Sequence, residues 1–165
     1  MKILVLTKYF WPHIGGVEKH VEEVSKRLAL KGNKVILITE KYDSKLKSQE
    51  VKDGVKIVRF KYPNLRCLGL FFVWLWLWQN RGLIKQSDIV QIHDVFVWYL
   101  PFRFLFPAKP VFTAFHGWEG VWPLRWQDIF AKRWAVRLSS GTIAIGAYVE
   151  KYYGLKVNKI LYGAV

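Results

Sequence analysis

The chain has 165 residues, of which 52% are hydrophobic, so it is long enough for one domain with a substantial core and too apolar to be disordered. Its single cysteine, Cys67, excludes an internal disulfide and any metal site built from several cysteines. A formal net charge of +14 indicates an anionic partner, such as nucleic acid, an anionic membrane or a phosphorylated ligand, or else a basic surface covered only by solvent.

The first forty residues predict a strand, a glycine-containing loop, a helix and a second strand. Residues 3–7 (ILVLT) and 35–39 (VILIT) are short apolar runs typical of strands that are buried on both faces. Between them, valine and leucine recur at helical spacing over residues 17–28, and Gly32 is a plausible end of this helix. This order predicts a βαβ crossover with parallel strands. The opening apolar run is too short for a signal-peptide core or a membrane span.

Two adjacent glycines, Gly15 and Gly16, open this helix. The N-terminus of a helix offers free backbone N–H groups and the positive end of its dipole, which together bind anions, and glycines let a phosphate come close to the backbone. A tight turn between strand and helix would need the same residues. The pattern is neither G-x-G-x-x-G nor a P-loop, so both readings stay open at this point.

Strands and helices continue to alternate along the rest of the chain. We expect strands at residues 55–60, 88–93, 111–115, 142–145 and 160–162, and helices at residues 68–85, 125–138 and 147–153. Residues 42–53 are polar and predict an exposed loop, and the aromatic segment after residue 93 is broken by Pro101 and Pro107. The alternation predicts a single α/β domain with a doubly wound, parallel, Rossmann-like sheet and helices on both faces.

Aromatic residues are unusually abundant at 17%, and seven of the nine tryptophans lie between Trp74 and Trp126. Residues 67–78 (CLGLFFVWLWLW) form a non-polar run that is shorter than the roughly 20 residues of a membrane-spanning helix. The run suits a helix packed between the sheet and a neighbour, or a helix whose exposed apolar side contacts a membrane or a partner. The candidates for membrane contact are Phe71, Trp74, Trp76 and Trp78.

Several polar residues follow predicted strands, where α/β sheets bind their ligands. His116 and Gly117 follow the strand at 111–115, and a histidine there can contact a sugar hydroxyl or a developing charge, although a lone histidine is more often structural. The other residues that could line the same cleft are His13, His20, His93, Asp94 and Glu119.

The spacing of the four histidines does not match a metal site, so we predict no bound metal. The basic residues are interspersed with acidic and apolar ones, and zinc-finger and RNP signatures are absent from the sequence. Nucleic acid is therefore the weakest candidate among the possible anionic partners, and we predict that the protein does not bind it.

Several segments carry a resemblance to family 4 glycosyltransferases of the GT-B fold. "GGVEKHVEEVSKRLALKGNKVILIT" resembles the family's opening Gly-Gly loop, helix and strand, with Asn33 in place of a usual histidine. "DIVQIHD" and "FTAFHG" resemble two histidine-bearing strands, with Gln91 at the first histidine of the former. "TIAIGAYVEKYYG" and "KILYGAV" resemble later segments, with Gly146 and Tyr162 where serine and asparagine are usual. The resemblance covers essentially all 165 residues.

The resemblance implies a retaining sugar transfer from a nucleotide-diphosphate sugar, which is a substrate; no bound cofactor is implied. Gly15 and Gly16 would approach the donor diphosphate, and His116 would contact the transferred sugar or assist the reacting centre. This N-terminal domain would bind the acceptor, a lipid-linked molecule or a glycan precursor, and the C-terminal nucleotide-sugar domain of the family would be absent.

With the basic charge and the aromatic run, the resemblance implies a cytoplasmic protein bound peripherally to the anionic inner face of the cell membrane. Without its second domain, the isolated chain would be inactive. The alternative is a non-catalytic, membrane-associated α/β binding module or one half of a split transferase.

Overall fold

The computed structural model describes residues 1–63, 68–117 and 124–162. Its strands are β1 (Lys2–Thr7), β2 (Lys34–Glu40), β3 (Gln49–Lys52), β4 (Val55–Phe60), β5 (Ile89–His93), β6 (Val111–Phe115), β7 (Gly141–Ile145) and β8 (Lys159–Leu161). Its helices are α1 (Gly16–Leu30), α2 (Gly69–Gln79), α3 (Arg81–Gln86), α4 (Phe96–Leu105), α5 (Trp126–Leu138) and α6 (Tyr148–Tyr153).

The strands form one eight-stranded sheet in the order β3-β4-β2-β1-β5-β6-β7-β8. Every neighbouring pair is parallel except β3–β4. β2, β4 and β3 lie on one side of β1, and β5 to β8 lie on the other side. The strand order therefore reverses between β1 and β5. Open α/β sheets place their ligand crevice at such a point.

Alternation along the strands divides the core between the two faces of the sheet. Ile3 and Val5 of β1 pack with Val21 of α1 on one face, whereas Leu4 and Leu6 belong to a larger cluster on the other. The larger cluster contains residues from α2, α3, α4, α5 and α6. The predicted Rossmann-like α/β domain with helices on both faces is confirmed.

Residues 42–53 are not only a loop, as the sequence predicted, because β3 pairs antiparallel with β4. The hairpin turns at Asp53 and Gly54, both of which have positive φ (48° and 77°). This is the backbone that a two-residue hairpin turn requires, and Asp-Gly is a favoured sequence for it.

The predicted helix at 68–85 is two helices, α2 and α3, which meet at Asn80. The Trp76 carbonyl at the end of α2 accepts two hydrogen bonds from Asn80, one from its backbone N–H at 3.0 Å and one from its side-chain amide at 2.8 Å.

The aromatic segment after β5 is also helical, although the prolines predicted a break. Pro101 lies inside α4 and has no N–H to donate to the carbonyl of Val97 four residues earlier. The indole N–H of Trp74 donates to this carbonyl at 2.9 Å. A side chain from α2 thus replaces the missing backbone donor, which explains how α4 accommodates the proline.

Candidate functional site

Three histidines meet at the carboxyl edge of the sheet. His93 ends β5, His116 directly follows β6, and His20 lies on α1. His93 Nδ1 and His116 Nε2 are 2.6 Å apart, a hydrogen bond in which one ring donates and the other accepts. The His20 ring centroid lies 4.9 Å from that of His116 and 6.3 Å from that of His93. Residues far apart in the sequence therefore form one cluster because β1, β5 and β6 are neighbours in the sheet.

Burial keeps these three imidazoles neutral. Desolvation lowers the pKa of His116 to about 4, and the nearby His20 and Lys132 act in the same direction. Desolvation also lowers the pKa of fully buried His93 well below its usual value, aided by His116 and His20, and it lowers the pKa of His20. At neutral pH the cluster offers uncharged groups that both donate and accept hydrogen bonds.

The backbone of His116 is held on both sides by polar groups. Its N–H donates to the Asp94 carboxylate, with distances of 3.1 and 3.3 Å to the two oxygens, and its carbonyl accepts the Tyr148 hydroxyl at 2.7 Å. Asp94 has a positive φ of 59°, and its Oδ1 lies 3.4 Å from Nζ of buried Lys132. Asp94 was predicted to line the cleft, and these contacts show that it positions His116. Sequence reasoning missed Lys132 and Tyr148, which lie on ordinary helical patterns.

The two glycines at the start of α1 have different surroundings. A Cβ on Gly15 would collide with Glu18 Oε2, whereas a Cβ on Gly16 would meet no atom within 4 Å. Gly15 has an extended backbone (φ −170°), so its role depends on close approach and not on a left-handed conformation. Gly16 therefore offers open backbone at the helix N-terminus, and the Glu18 carboxylate lies beside Gly15.

His13 belongs to a second cluster on the β1–α1 loop. Its ring stacks on Tyr9 at 4.7 Å between centroids and meets the edge of Tyr42 at 5.4 Å. His13 Nδ1 is 3.0 Å from Glu18 Oε1, at an angle outside hydrogen-bond geometry. The structure thus groups His13 with the glycine loop and not with the three clustered histidines.

A buried arginine that the sequence did not single out anchors this loop. Arg59 of β4 donates to the carbonyls of Trp11 at 2.8 Å and Lys47 at 3.1 Å, and its Nη1 is 2.5 Å from Glu50 Oε1. Its side chain is fully buried. Because burying a cation is costly unless it is paired, these contacts fix the loops after β1 and before β3 relative to the sheet.

The remaining predicted positions vary in exposure. A Cβ on Gly117 would meet no atom within 4 Å, and Glu119 lies outside the described residues. On α2, Phe71 and Trp78 are 56% and 48% exposed, whereas Trp74 and Trp76 are partly buried and pack against the core.

Within the described residues, 1–63, 68–117 and 124–162, no group of three or more His, Cys, Asp or Glu side chains is arranged to hold a metal ion. No helix in these ranges is long and apolar enough to cross a bilayer.

We expect the free energy of unfolding to fall as the pH drops from about 6.5 towards 4. Over this range the unfolded histidines take up protons that folded His93 and His116 do not bind, so each costs up to about 1.4 kcal/mol per pH unit. His20 acts in the same direction, weakened by solvent. Urea unfolding at pH 7 and pH 5 measures the effect. His20→Asn should flatten the dependence, and equal stability at both pH values would contradict the neutral cluster.

Residues 14–157 match the family model described as Glycosyltransferase Family 4. A segment of 55 residues is 33% identical to a subunit of the phosphatidylinositol N-acetylglucosaminyltransferase of Homo sapiens, and the match covers 33% of this chain and 11% of that protein.

Two solved structures share the fold. Sucrose-phosphate synthase from Thermosynechococcus elongatus superposes with a TM-score of 0.69 over 97% of this chain and 47% of that chain, at 12% identity. UGT89C1 of Arabidopsis thaliana, complexed with UDP, gives 0.57 over 99% of this chain and 48% of that chain, at 11% identity. The chain thus spans about half of each solved chain and a small part of the human relative.

Proposed function

The chain belongs to glycosyltransferase family 4, and on that premise we propose that it forms the acceptor-side domain of a two-domain, retaining enzyme. Its donor is a nucleotide-diphosphate sugar, which the UDP in the UGT89C1 structure supports. The span of about half of each solved chain supports a second domain that grips the nucleotide. The isolated chain is accordingly inactive. The observation that carries the proposal is the cluster of His20, His93 and His116 beside the Gly15–Gly16 loop.

In the reaction, the bond between the sugar C1 and the diphosphate oxygen breaks, and an acceptor oxygen bonds to C1 on the same face. The acceptor hydroxyl loses its proton, which the departing diphosphate accepts. No charged side chain of the histidine cluster is needed for this step. The catalytic demand on the domain is to position both substrates and to stabilise charge that develops in the transition state.

His116 meets this demand as a neutral hydrogen-bonding group that contacts the transferred sugar. Asp94 and Tyr148 fix its backbone, and His93 fixes its ring. A preorganised group stabilises a transition state better than a mobile one, because no reorganisation is needed during reaction.

The donor diphosphate approaches the backbone at Gly16. This position is open, and it lies at the N-terminus of a fifteen-residue helix, where anions are stabilised. The Glu18 carboxylate beside Gly15 repels a phosphate from that side. Gly15 and Gly16 both belong to the proposed diphosphate site, and Gly16 is the more open of the two.

The test is a transfer assay with the protein at its natural length. It is incubated with a panel of radiolabelled nucleotide sugars and vesicles that contain phosphatidylinositol. We expect label to move into the lipid phase with at least one donor. No transfer with any donor from a folded protein would instead favour the alternative, a non-catalytic, membrane-associated binding module.

The acceptor is an anionic lipid at the inner face of the cell membrane, and the protein is cytoplasmic. The name of the human relative contains phosphatidylinositol, which supports this choice. On this chain, Phe71, Leu75 and Trp78 form an exposed apolar stripe on α2. The guanidinium of Arg81 lies 5.0 Å from the Trp78 ring centroid. Exposed aromatics next to basic residues are typical of surfaces that bind anionic membranes.

We expect the chain to sediment with vesicles that contain phosphatidylglycerol more than with pure phosphatidylcholine vesicles, and less in high salt. Trp78→Ser should weaken this binding several-fold, because the variant has less apolar side-chain surface to insert into the bilayer. Leu30→Ser is the matched control, since Leu30 is 77% exposed on α1, across the sheet from α2. Equal sedimentation of both variants would show that α2 is not the contact.

A further inference from the structure

An apolar groove of about 490 Å³ lies between α4 and α5, outside the histidine cluster. Except for Gln127, its lining residues are aromatic or aliphatic, and they include Phe96, Val97, Phe104, Trp126, Phe130 and Trp134. Its volume falls in the range of about 300–1,000 Å³ that is usual for sites that bind small molecules. Phe104, Phe130 and Trp126 are more than half exposed, so the groove opens to the outside.

The groove begins beside the candidate site. α4 starts three residues after His93, and α5 carries Lys132, whose Nζ lies 3.4 Å from Asp94 Oδ1. At the opposite end of the helices, Arg103 Nε donates to the Leu138 carbonyl at 2.6 Å and ties α4 to α5. Phe96, which lines the groove, is therefore three residues from His93 along the chain and marks the end of the groove nearer to the histidines.

Charge on the same helices favours an anionic occupant. Residues 96–105 and 125–138 contain a single acidic residue, Asp128, and five basic residues: Arg103, Arg125, Lys132, Arg133 and Arg137. Lys132 is buried beside Asp94 and Arg103 donates to backbone carbonyls, so the charge available to an anion is that of the exposed Arg125, Arg133 and Arg137. An apolar groove with basic residues on its helices suits a molecule that has both a hydrocarbon part and a negative charge.

A hydrogen bond links the groove to α2, the helix proposed to face the membrane. Trp74 of α2 donates its indole N–H to the carbonyl of Val97, which lines the groove. Trp74 is itself partly buried, and the exposed stripe of Phe71, Leu75 and Trp78 lies on the same helix. The groove is therefore tied to the helix that carries this stripe.

We propose that the α4–α5 groove holds a hydrocarbon chain of an anionic phospholipid acceptor and so places its head group near His116. The proposal rests on the proposed function, in which the acceptor is an anionic lipid. It adds that the lipid is recognised through one of its chains and not only through its head group.

The experiment is calorimetric titration of the full chain with dihexanoyl-phosphatidylinositol below its micelle concentration. Ala131 lines the groove, and Ala131→Trp fills it while making the surface more apolar. This variant should bind about tenfold more weakly or worse, because the lipid chain loses its buried contact. A surface that only adheres to membranes would bind the more apolar variant as well as, or better than, the wild type.

Phe130→Ser is a second variant that opens the groove at an exposed position, and circular dichroism checks that both variants fold. Leu30→Ser should bind like the wild type. Glycerophosphoinositol, which lacks the chains, and dihexanoyl-phosphatidylcholine, which lacks the net charge, should both bind more weakly than the probe.

Unchanged binding by folded Ala131→Trp, or equal binding of glycerophosphoinositol, would overturn the proposal. A dimer that Ala131→Trp dissociates, without lipid binding by the wild type, would also overturn it, since the occupant would then be a second copy of the chain. The two proposals can fail separately. Lipid binding without sugar transfer would support the groove proposal and contradict the proposed activity. Normal sugar transfer by Ala131→Trp would support the proposed activity and contradict the groove proposal.

Discussion

His116→Ala is expected to lower the turnover of sugar transfer by about 10²-fold or more, the usual effect of losing a preorganised hydrogen-bonding or proton-transferring group. The structure predicts a cost, because alanine leaves Nδ1 of buried His93 without the partner it has at 2.6 Å. An unsatisfied buried polar group costs about 1–3 kcal/mol of folding free energy.

His116→Gln separates the two effects. Its amide reaches the position of His116 Nε2 and can replace the hydrogen bond to His93 Nδ1, so the free energy of unfolding should recover while turnover stays low. Steady-state kinetics and urea unfolding on the same preparations make the comparison. If a folded His116→Ala enzyme turned over at nearly the wild-type rate, His116 would be a structural histidine.

Gly16→Val is expected to abolish use of the donor while the domain stays folded. A Cβ at this position meets nothing within 4 Å, so the side chain has room. The valine methyl groups would instead occupy the space through which the diphosphate reaches the helix N-terminus. The expected result is a loss of kcat/KM of about 10²-fold or more, because displacement of the donor also misaligns the reacting atoms.

Gly16→Ala should cause a smaller loss of kcat/KM, because a single methyl group blocks less of the space through which the diphosphate approaches. Donor titration measured by activity, together with thermal unfolding, distinguishes lost binding from lost structure. Normal transfer by Gly16→Val would mean that the glycine pair serves only as a turn.

The sequence predicted the layout of the fold because most elements have clear local signals. Residues 3–7 and 35–39 are apolar throughout, as buried parallel strands must be, and the helix between them has an unbroken apolar stripe. The β3–β4 hairpin also had its signal, Asp53-Gly54, but the polar residues around it suggested a loop.

Other features could not be predicted because they depend on contacts between distant segments. Pro101 argues against a helix locally, and only the indole of Trp74, from another helix, supplies the missing donor. Likewise, Arg59 and Lys132 resemble ordinary surface charges in the sequence. In the folded chain Arg59 contacts Trp11 and Glu50, and Lys132 contacts Asp94. His93 and His116 were correctly placed at strand ends, but their mutual contact could be predicted only from the strand order.

That strand order also has a kinetic consequence. Thr7 pairs with His93 across the β1–β5 ladder, and closing such a long loop is slow compared with forming a local helix or hairpin. The β3–β4 hairpin and α1 can form early from neighbouring residues, whereas the histidine cluster exists only after β5 and β6 have joined the sheet. The contact between His93 and His116 therefore forms later than α1, and the site that begins at Gly16 and His20 is completed only when residues distant in the sequence have met.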